Sequence, residues 1–253
     1  MEKWEELELP EELELTEELK SLQNPRSREV LSWLIRAAIL DPLTTLDDEH
    51  PVYNRRGFMQ DMRQYFGAGL PDIIAQRIGG ERRQTSDGHD SSLFLFDLYN
   101  FGETNHRIGH DGADLVLQYM AKGVLVSARR RDRVYRPGGD EFAVILRIPY
   151  PIPNLPDYPS PKTIVTRTAH YWVDNAHLLP EGAKPFGFYG GLVTSLEAYE
   201  SGLNSGREVF KLADTRLNTA RSLTYRNDES TIIGENEKVI FSAPIIKPVL
   251  STL

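Results

Sequence analysis

The sequence lacks cysteine, long apolar runs and any excess of basic residues. None of its 253 residues is cysteine, so disulfides and thiolate metal sites are excluded, and this absence fits a reducing cytoplasm. No apolar run approaches the roughly 18–20 residues needed to cross a bilayer, and the acidic N-terminus has no signal-peptide pattern. The formal net charge of −8 argues against nucleic acid as a general partner. These absences predict a soluble cytoplasmic protein with no membrane span and no nucleic-acid partner.

The composition is that of a globular protein. Hydrophobic residues make up 40% and charged residues 26% of the chain, enough to bury a substantial core. The length suits one large domain with extensions. We expect three parts: an acidic arm and leading helix in residues 1–40, the main domain in residues 41–235, and a C-terminal extension in residues 236–253.

The first 23 residues, the acidic segment, differ in composition from the rest. The run "EELELPEELELTEEL" repeats glutamate and leucine around Pro10. Such a segment is most often a solvated arm, and its regularly spaced leucines could instead dock on a partner or on the main domain. Asn24 and Pro25 then resemble the start of a helix that extends to Leu40 and packs on the domain or pairs with a second copy.

From Asp41 the periodicity alternates between helical and extended. This alternation predicts a mixed α/β domain, in which helices pack against the faces of one sheet. We expect helices in residues 54–66, 112–130, 163–177 and 205–221, strands in residues 91–97 and 184–195, and a hairpin in residues 129–146.

The hairpin "RRRDRVYRPGGDEFAVIL" places two glycines and two carboxylates between apolar segments. Gly138 and Gly139 allow a tight turn and the close approach of another molecule. We expect Asp140 and Glu141 to start the second strand with their side chains on opposite faces. From hairpin chemistry alone, a solvated acidic tip is the more ordinary explanation, because Gly-Gly is a common turn signal.

The strand "SSLFLFDL" ends beside this hairpin if both belong to one sheet. Asp97 and Asp140 would then converge. Two carboxylates this close repel each other unless a cation lies between them or one takes up a proton. Mg²⁺ prefers such a site, where waters and substrate phosphates complete its shell, so the pair is suited to nucleoside triphosphate chemistry.

Four ordered blocks of the sequence resemble the GGDEF family, the diguanylate cyclases. "RPGGDEFAVIL" contains the motif of that name, and "DPLTTL" followed by "YNRRGF" resembles the family's opening "DxLTGLxNRRxF". "FDLYNFGETNHRIGHDGADLVL" resembles "DxDxFKxxNDxxGHxxGDxxL", and "FKLADTRLNTAR" resembles the late helix "ADxALYxAK". The blocks extend from Asp41 to Asn227, so the chain is identified as a member of the family.

The resemblance implies a fold and a reaction. The fold is a palm-like α+β domain, with a mainly antiparallel central sheet flanked by helices and preceded here by an N-terminal helical extension. The reaction joins two GTP molecules into cyclic di-GMP and releases two pyrophosphates, with Mg²⁺ or Mn²⁺ as cofactor. Two domains form a homodimer in which each 3′-hydroxyl attacks the α-phosphate of the other GTP.

The resemblance also implies roles for individual residues. Cyclic di-GMP serves as both product and inhibitor, and for the inhibitory site the alternative is a solvated helix end. A structural role is an equal alternative for His110. The implied catalytic residues are Asp97, Asp140 and Glu141; the metal ligands are Asp97, the Leu98 carbonyl and Asp140; the GTP-binding residues are Asn105, Asp114, Gly138, Gly139, His110 and Arg221; and the inhibitory site is Arg129 with Asp132.

Four positions depart from the family pattern. Gly102 replaces a lysine, which removes a phosphate contact, and the other departures are Tyr99, His106 and Thr45. None of them removes an implied metal or guanine ligand, so we expect a working enzyme, slowed by the missing lysine. The alternatives are a receptor that binds cyclic di-GMP or GTP without turnover, and a related palm enzyme with another nucleotide product.

Overall fold

The computed structural model describes residues 52–67, 89–149, 161–183 and 187–245. Within these residues seven strands form one sheet in the order β1-β3-β4-β2-β5-β6-β7. The strands are β1 (Tyr53–Asn54), β2 (His89–Leu98), β3 (Arg133–Gly138), β4 (Glu141–Pro149), β5 (Phe188–Thr194), β6 (Glu229–Ile233) and β7 (Val239–Pro244).

The sheet is mainly antiparallel, as predicted. Strands β3 and β4, β4 and β2, β2 and β5, and β6 and β7 pair antiparallel, whereas β1 with β3 and β5 with β6 pair parallel. The flanking helices are α1 (Arg55–Phe66), α2 (Phe101–Ser127), α3 (Pro161–Asp174), α4 (Ser195–Glu200) and α5 (Gly206–Asn227). The mixed α/β architecture with helices against a sheet is therefore confirmed.

Strand β2 is buried on both faces, which explains its nearly continuous apolar sequence. Phe94 and Phe96 pack in one core with α2 and α3, and Leu93 and Leu95 pack in a second core with α1 and α5. Asp97 continues the second set and is also buried. The alternation of the strand thus directs this carboxylate toward α1 and α5.

Helix α1 matches its predicted bounds. The Asn54 side chain accepts hydrogen bonds from the backbone N–H groups of Arg56 and Gly57 and so caps the helix. The sequence places Phe58, Met62 and Phe66 at helical spacing, and all three are buried in the core.

Helix α2 begins eleven residues before the predicted start and is broken once. Gly109 has φ 75° and ψ 175°, a conformation that favours glycine, and it divides the helix into two parts. The helical spacing that we recognised belongs to the second part. The first part starts directly after the end of β2, which places its N-terminus beside Asp97.

The hairpin between β3 and β4 differs from its predicted register. Gly138 pairs with Glu141, so Gly139 and Asp140 form the turn, and Gly139 has φ 56°. The expectation that Asp140 starts the second strand was therefore wrong. A carboxylate in the turn is not bound to one face of the sheet, so it can reach toward its neighbour on β2.

Gly191 marks the closest approach of α5 to the sheet. A Cβ atom at this position would lie 2.1 Å from the Ala213 carbonyl oxygen. This contact positions α5 along the sheet, so that the later turns of the helix reach the end of β2.

Several predictions fall outside the described residues. The acidic segment, the leading helix and the boundary at residue 40 lie there, and the boundary at residue 235 stays a prediction, with β7 paired to β6 in the common sheet. Among the helices in the described ranges, none combines the length and the apolar character that a membrane crossing requires.

Candidate active site

Asp97 and Asp140 meet at one end of the sheet. Asp97 is the last but one residue of β2, and Asp140 lies in the adjacent hairpin turn. Their carboxyl groups come within hydrogen-bonding reach of each other. The predicted convergence of the two carboxylates is thus present in the structure.

Two further groups hold the Asp97 carboxylate in place. The Leu98 backbone N–H donates to Oδ1 at 2.7 Å, and the Tyr189 hydroxyl donates to Oδ2 at 2.8 Å. Tyr189 faces Asp97 because the two residues are register partners on β5 and β2. The sequence did not identify Tyr189 as part of the site, since a hydrogen bond between residues 92 positions apart leaves no local pattern.

The electrostatics of the pair are unfavourable in the absence of a cation. Burial and the neighbouring Asp140 carboxylate raise the pKa of Asp97 from 3.8 to about 7, although the hydrogen bond from Tyr189 opposes this shift. A proton or a cation between the two carboxylates would relieve the repulsion. The site is therefore suited to binding a positive charge.

Glu141 flanks the pair on the same face of the sheet. It is the register partner of Asp97 on β4. Burial, Asp214 on α5 and Asp140 raise the pKa of Glu141, whereas Arg55 on α1 lowers it. The second acidic residue of the motif thus faces α1 and α5 and adds negative charge beside Asp97.

Arg221 brings a positive charge to the same end of the sheet. Its guanidinium carbon lies 5.5 Å from the centroid of the Tyr189 ring. Tyr189, and after it Asp97, Tyr225 and Asp140, raise the pKa of Arg221. The Tyr99 and Tyr225 rings, with centroids 4.9 Å apart, extend this aromatic surface. Arg221 therefore stands beside the carboxylate pair on an aromatic support.

The N-terminus of α2 opens next to these residues. Asn100 has φ 60° and makes no side-chain cap, since its amide donates to Glu103 at 2.9 Å. The first backbone N–H groups of a helix carry partial positive charge and can donate hydrogen bonds to phosphate oxygens. A Cβ atom at Gly102 would meet nothing within 4 Å, so the first turn has room for a larger residue.

Three of the predicted GTP-binding residues lie along α2. Asn105 is one turn into the helix, whereas His110 and Asp114 follow the break at Gly109. Within the described residues the Asn105 Oδ1 atom is buried and has no hydrogen-bond partner. A buried acceptor without a donor is costly, so this atom is suited to a donor on a ligand. His110 is exposed, and Asp114 is partly buried.

Gly138 and Gly139 leave the hairpin surface open. A Cβ atom at either position would meet no atom within 4 Å. Gly139 needs its positive φ for the turn, but packing within the described chain does not require Gly138. The space above this glycine is available to another molecule.

Arg129 and Asp132 lie at the opposite end of the hairpin. The Asp132 oxygens accept from the backbone N–H groups of Arg129 at 2.9 Å and Arg147 at 3.0 Å. Arg147 lies six residues along β4 from Glu141, about 20 Å away at 3.3–3.4 Å per residue. The predicted inhibitory site and the Asp97–Asp140 pair therefore lie at opposite ends of strand β4.

The donor set can be compared with the needs of a metal ion. No group of three or more His, Asp or Glu side chains in the part of the chain that the structure describes is arranged to hold an ion. Asp97 and Asp140 supply two carboxylates, with the Leu98 carbonyl adjacent in the chain. Mg²⁺ is commonly held by one or two carboxylates plus waters and substrate phosphates, so the residues fit that ion.

Comparison with known proteins points to one family. Residues 72–150 match the family model described as diguanylate cyclase, GGDEF domain. Diguanylate cyclase DgcS of Shewanella oneidensis is 34% identical over 85 residues, which cover 34% of this chain and 26% of that protein. Diguanylate cyclase TpbB of Pseudomonas aeruginosa is 39% identical over 71 residues, which cover 28% of this chain and 16% of that protein. The matches thus span about a quarter or less of these relatives.

Comparison with solved structures also finds GGDEF proteins, at low sequence identity. The GGDEF domain of DgcB from Caulobacter crescentus, in complex with c-di-GMP, is 19% identical with a TM-score of 0.46, covering 76% of this chain and 95% of that chain. A sensory box/GGDEF family protein from the same organism is 19% identical with a TM-score of 0.49, covering 70% of this chain and 97% of that chain. The assignment rests on the sequence matches, which identify residues 72–150 as part of a GGDEF domain.

Proposed function

We propose that this protein is a diguanylate cyclase that condenses two GTP molecules into cyclic di-GMP and two pyrophosphates. The observation that carries the proposal is the meeting of Asp97 and Asp140 beside Arg221. The two carboxylates can hold a metal ion, and the Arg221 guanidinium can bind phosphate oxygens. A metal-bound triphosphate requires both kinds of group. The curated relatives named above are diguanylate cyclases.

The carboxylate pair would hold a divalent ion. Asp97 and Asp140, with the Leu98 carbonyl, are the proposed ligands for Mg²⁺ or Mn²⁺, which when bound neutralises phosphate charge and activates the attacking hydroxyl. Tyr189 keeps one Asp97 oxygen oriented through its hydrogen bond. Glu141 is the further catalytic carboxylate, and its raised pKa suits a group that exchanges protons near the reacting atoms.

The remaining groups bind GTP. Arg221 and the first amides of α2 contact phosphate oxygens, and Gly138 and Gly139 give the nucleotide access to the hairpin. Asn105 and Asp114 accept hydrogen bonds from guanine, with His110 on the same helix. Adenine offers no matching donor pair, which favours GTP over ATP.

The reaction requires two copies of the domain. Each copy binds one GTP, and its 3′-hydroxyl oxygen attacks the α-phosphorus of the GTP on the other copy. Two phosphodiester bonds form, and two bonds to pyrophosphate break. Because GTP is a cytoplasmic substrate, the proposal places the domain in residues 41–235 in the cytoplasm, with residues 1–40 and 236–253 as extensions.

The test is product analysis. Protein stripped of bound nucleotide is incubated with GTP and Mg²⁺, and the products are identified by mass spectrometry. We expect cyclic di-GMP and pyrophosphate, and neither from Asp140→Ala. A different product from GTP or ATP would identify a related palm enzyme and overturn the proposal.

A receptor without turnover is the second candidate function, and one observation favours it. Gly102 leaves an open position at the first turn of α2 where the family places a lysine, so one phosphate contact is missing. Binding of GTP or cyclic di-GMP with no product over long incubation would establish this alternative.

Product inhibition is a separate part of the proposal. Arg129 would grip a phosphate or stack on a guanine of cyclic di-GMP, and Asp132 would position the turn that carries it. Because this end of the hairpin is about 20 Å from Glu141, inhibition should not compete with GTP. Arg129→Ala is expected to remove the inhibition and to leave the KM for GTP unchanged; competitive inhibition would contradict the assignment.

A further inference from the structure

A groove that adjoins the proposed active site lies between α1, the β3–β4 hairpin and the start of α5. Its volume is about 860 Å³. Apolar side chains including Met59, Pro137 and Phe210 line much of it, and Met59 is 40% exposed. A partly exposed apolar groove of this kind is suited to an apolar segment of polypeptide.

Three arginines surround the apolar lining, namely Arg55, Arg63 and Arg207. The opposing charge in the groove is Glu141, which attracts Arg55. Arg63 and Arg207 have no ion-pair partner among the described residues. The groove therefore combines apolar surface with a positive rim.

The acidic segment has the complementary chemistry. Its 23 residues contain nine glutamates and two lysines, a net charge of −7 out of the −8 of the whole chain. Leucines recur between the glutamates, at Leu7, Leu9, Leu13 and Leu15. A nucleotide would satisfy the arginines only, whereas this segment offers carboxylates to the rim and leucines to the lining.

The connection along the chain permits this contact. Residues 24–51 join the acidic segment to Val52, and Arg55 of the groove follows three residues later. A connection of that length spans far more than the width of a domain when extended. A tethered segment is present at an effective concentration of the order of millimolar, so modest affinity is enough for occupancy.

We infer that the acidic segment docks in this groove of its own chain, with its glutamates on Arg63 and Arg207 and its leucines on the apolar lining. The groove shares Gly138 and Glu141 with the proposed active site, so the docked segment would lie directly beside the bound nucleotide. The inference does not depend on catalysis.

Disulfide trapping tests the inference directly, since the chain has no cysteine of its own. Thr16→Cys in the acidic segment is combined with Met59→Cys in the groove. The matched control combines Thr16→Cys with Val239→Cys, which is 52% exposed on β7 at the other edge of the sheet. Under mild oxidation, we expect the intrachain disulfide to Met59→Cys to form at least about tenfold faster than to the control, as an effective-concentration advantage requires.

Charge variants sharpen the result. In the protein with Thr16→Cys and Met59→Cys, the further pair Arg63→Glu and Arg207→Glu should slow disulfide formation to the control rate. The pair Arg63→Lys and Arg207→Lys keeps the positive charge and should retain the fast rate. Asn204→Cys at the rim serves as a second groove position if Met59→Cys fails to fold. Equal rates at groove and control, a disulfide-linked dimer as the main product, or no effect of charge reversal would each overturn the inference.

Discussion

A buried aspartate lies at each end of the β3–β4 hairpin, Asp97 on β2 beside the turn and Asp132 before β3, and the two carboxylates have different kinds of partner. Asp97 is 7% exposed and Asp132 is 5% exposed, and burial raises the pKa of both. The next influence on Asp97 is the Asp140 carboxylate, which raises its pKa further. For Asp132 the next influences are the amides of Arg129 and Arg147, which lower it.

This difference separates the proposed metal ligand Asp97 from Asp132, whose carboxylate the backbone satisfies. The chain satisfies Asp132 with its own backbone, which ties the end of α2 to β4. It places Asp97 beside a second carboxylate and thereby leaves a deficit of positive charge. Burial alone does not mark a functional carboxylate; the kind of partner does.

Loss of Asp140 should have the largest effect. In Asp140→Ala one proposed metal ligand is missing, so we expect cyclic di-GMP formation to fall by about a thousandfold or more. Product formation from GTP and Mg²⁺ measures this effect. Asp174→Ala, an exposed change at the end of α3, is the control and should retain full activity; an active Asp140→Ala variant would refute the role of the pair.

Loss of Asp132 should instead affect stability. Asp132→Ala leaves the amides of Arg129 and Arg147 without their acceptor, so we expect the free energy of unfolding to fall by about 2–4 kcal/mol. Urea unfolding measures this change. The exposed change Asp174→Ala should cost less than about 0.5 kcal/mol. Equal stability of the two variants would show that the Asp132 contacts contribute nothing.

The pH dependence of stability should depend on Asp97. The unfolded carboxyl has a pKa of 3.8 and the folded one about 7, so between these values the folded protein holds a proton that the unfolded chain has released. This contribution is therefore full below about pH 4 and is lost as the pH rises through about 7. Asp97→Asn removes it.

At about pH 8, without divalent ions, we expect Asp97→Asn to be more stable than the parent protein by on the order of 4 kcal/mol. At about pH 3.5 the difference should vanish. Urea unfolding across this pH range compares the two proteins. Parallel pH profiles would contradict the proposed electrostatics.

A lysine at position 102 should have the smallest effect. A Cβ atom at Gly102 meets nothing within 4 Å, so Gly102→Lys adds a cation without a clash. One charge-assisted phosphate contact should lower the KM for GTP by about tenfold. Gly102→Gln, which has no charge, separates this effect from the gain in helix propensity; the same KM change in both variants would exclude a phosphate contact.

The sequence predicted what depends on neighbours along the chain. The apolar stripe of α1 and the buried run of β2 follow from periodicity, and the acidic motif and the guanine-binding positions follow from the family resemblance. The convergence of Asp97 and Asp140 followed from placing two strands in one sheet.

The remaining features depend on contacts between distant residues. Tyr189 reaches Asp97 only because β5 pairs with β2, and Asp132 meets the Arg147 amide only after the hairpin closes. The turn position of Asp140 follows from the pairing of Gly138 with Glu141, which Gly-Gly composition alone does not fix.

Direct metal binding tests the central claim that Asp97 and Asp140 form a cation site. Binding of Mn²⁺ is measured by electron paramagnetic resonance, in the presence of a GTP analogue that cannot be cleaved at the α-phosphate, for the parent protein, Asp140→Asn and Asp174→Asn. We predict that the parent and Asp174→Asn bind equally and that Asp140→Asn binds at least about tenfold more weakly. Equal binding by all three proteins would contradict the account.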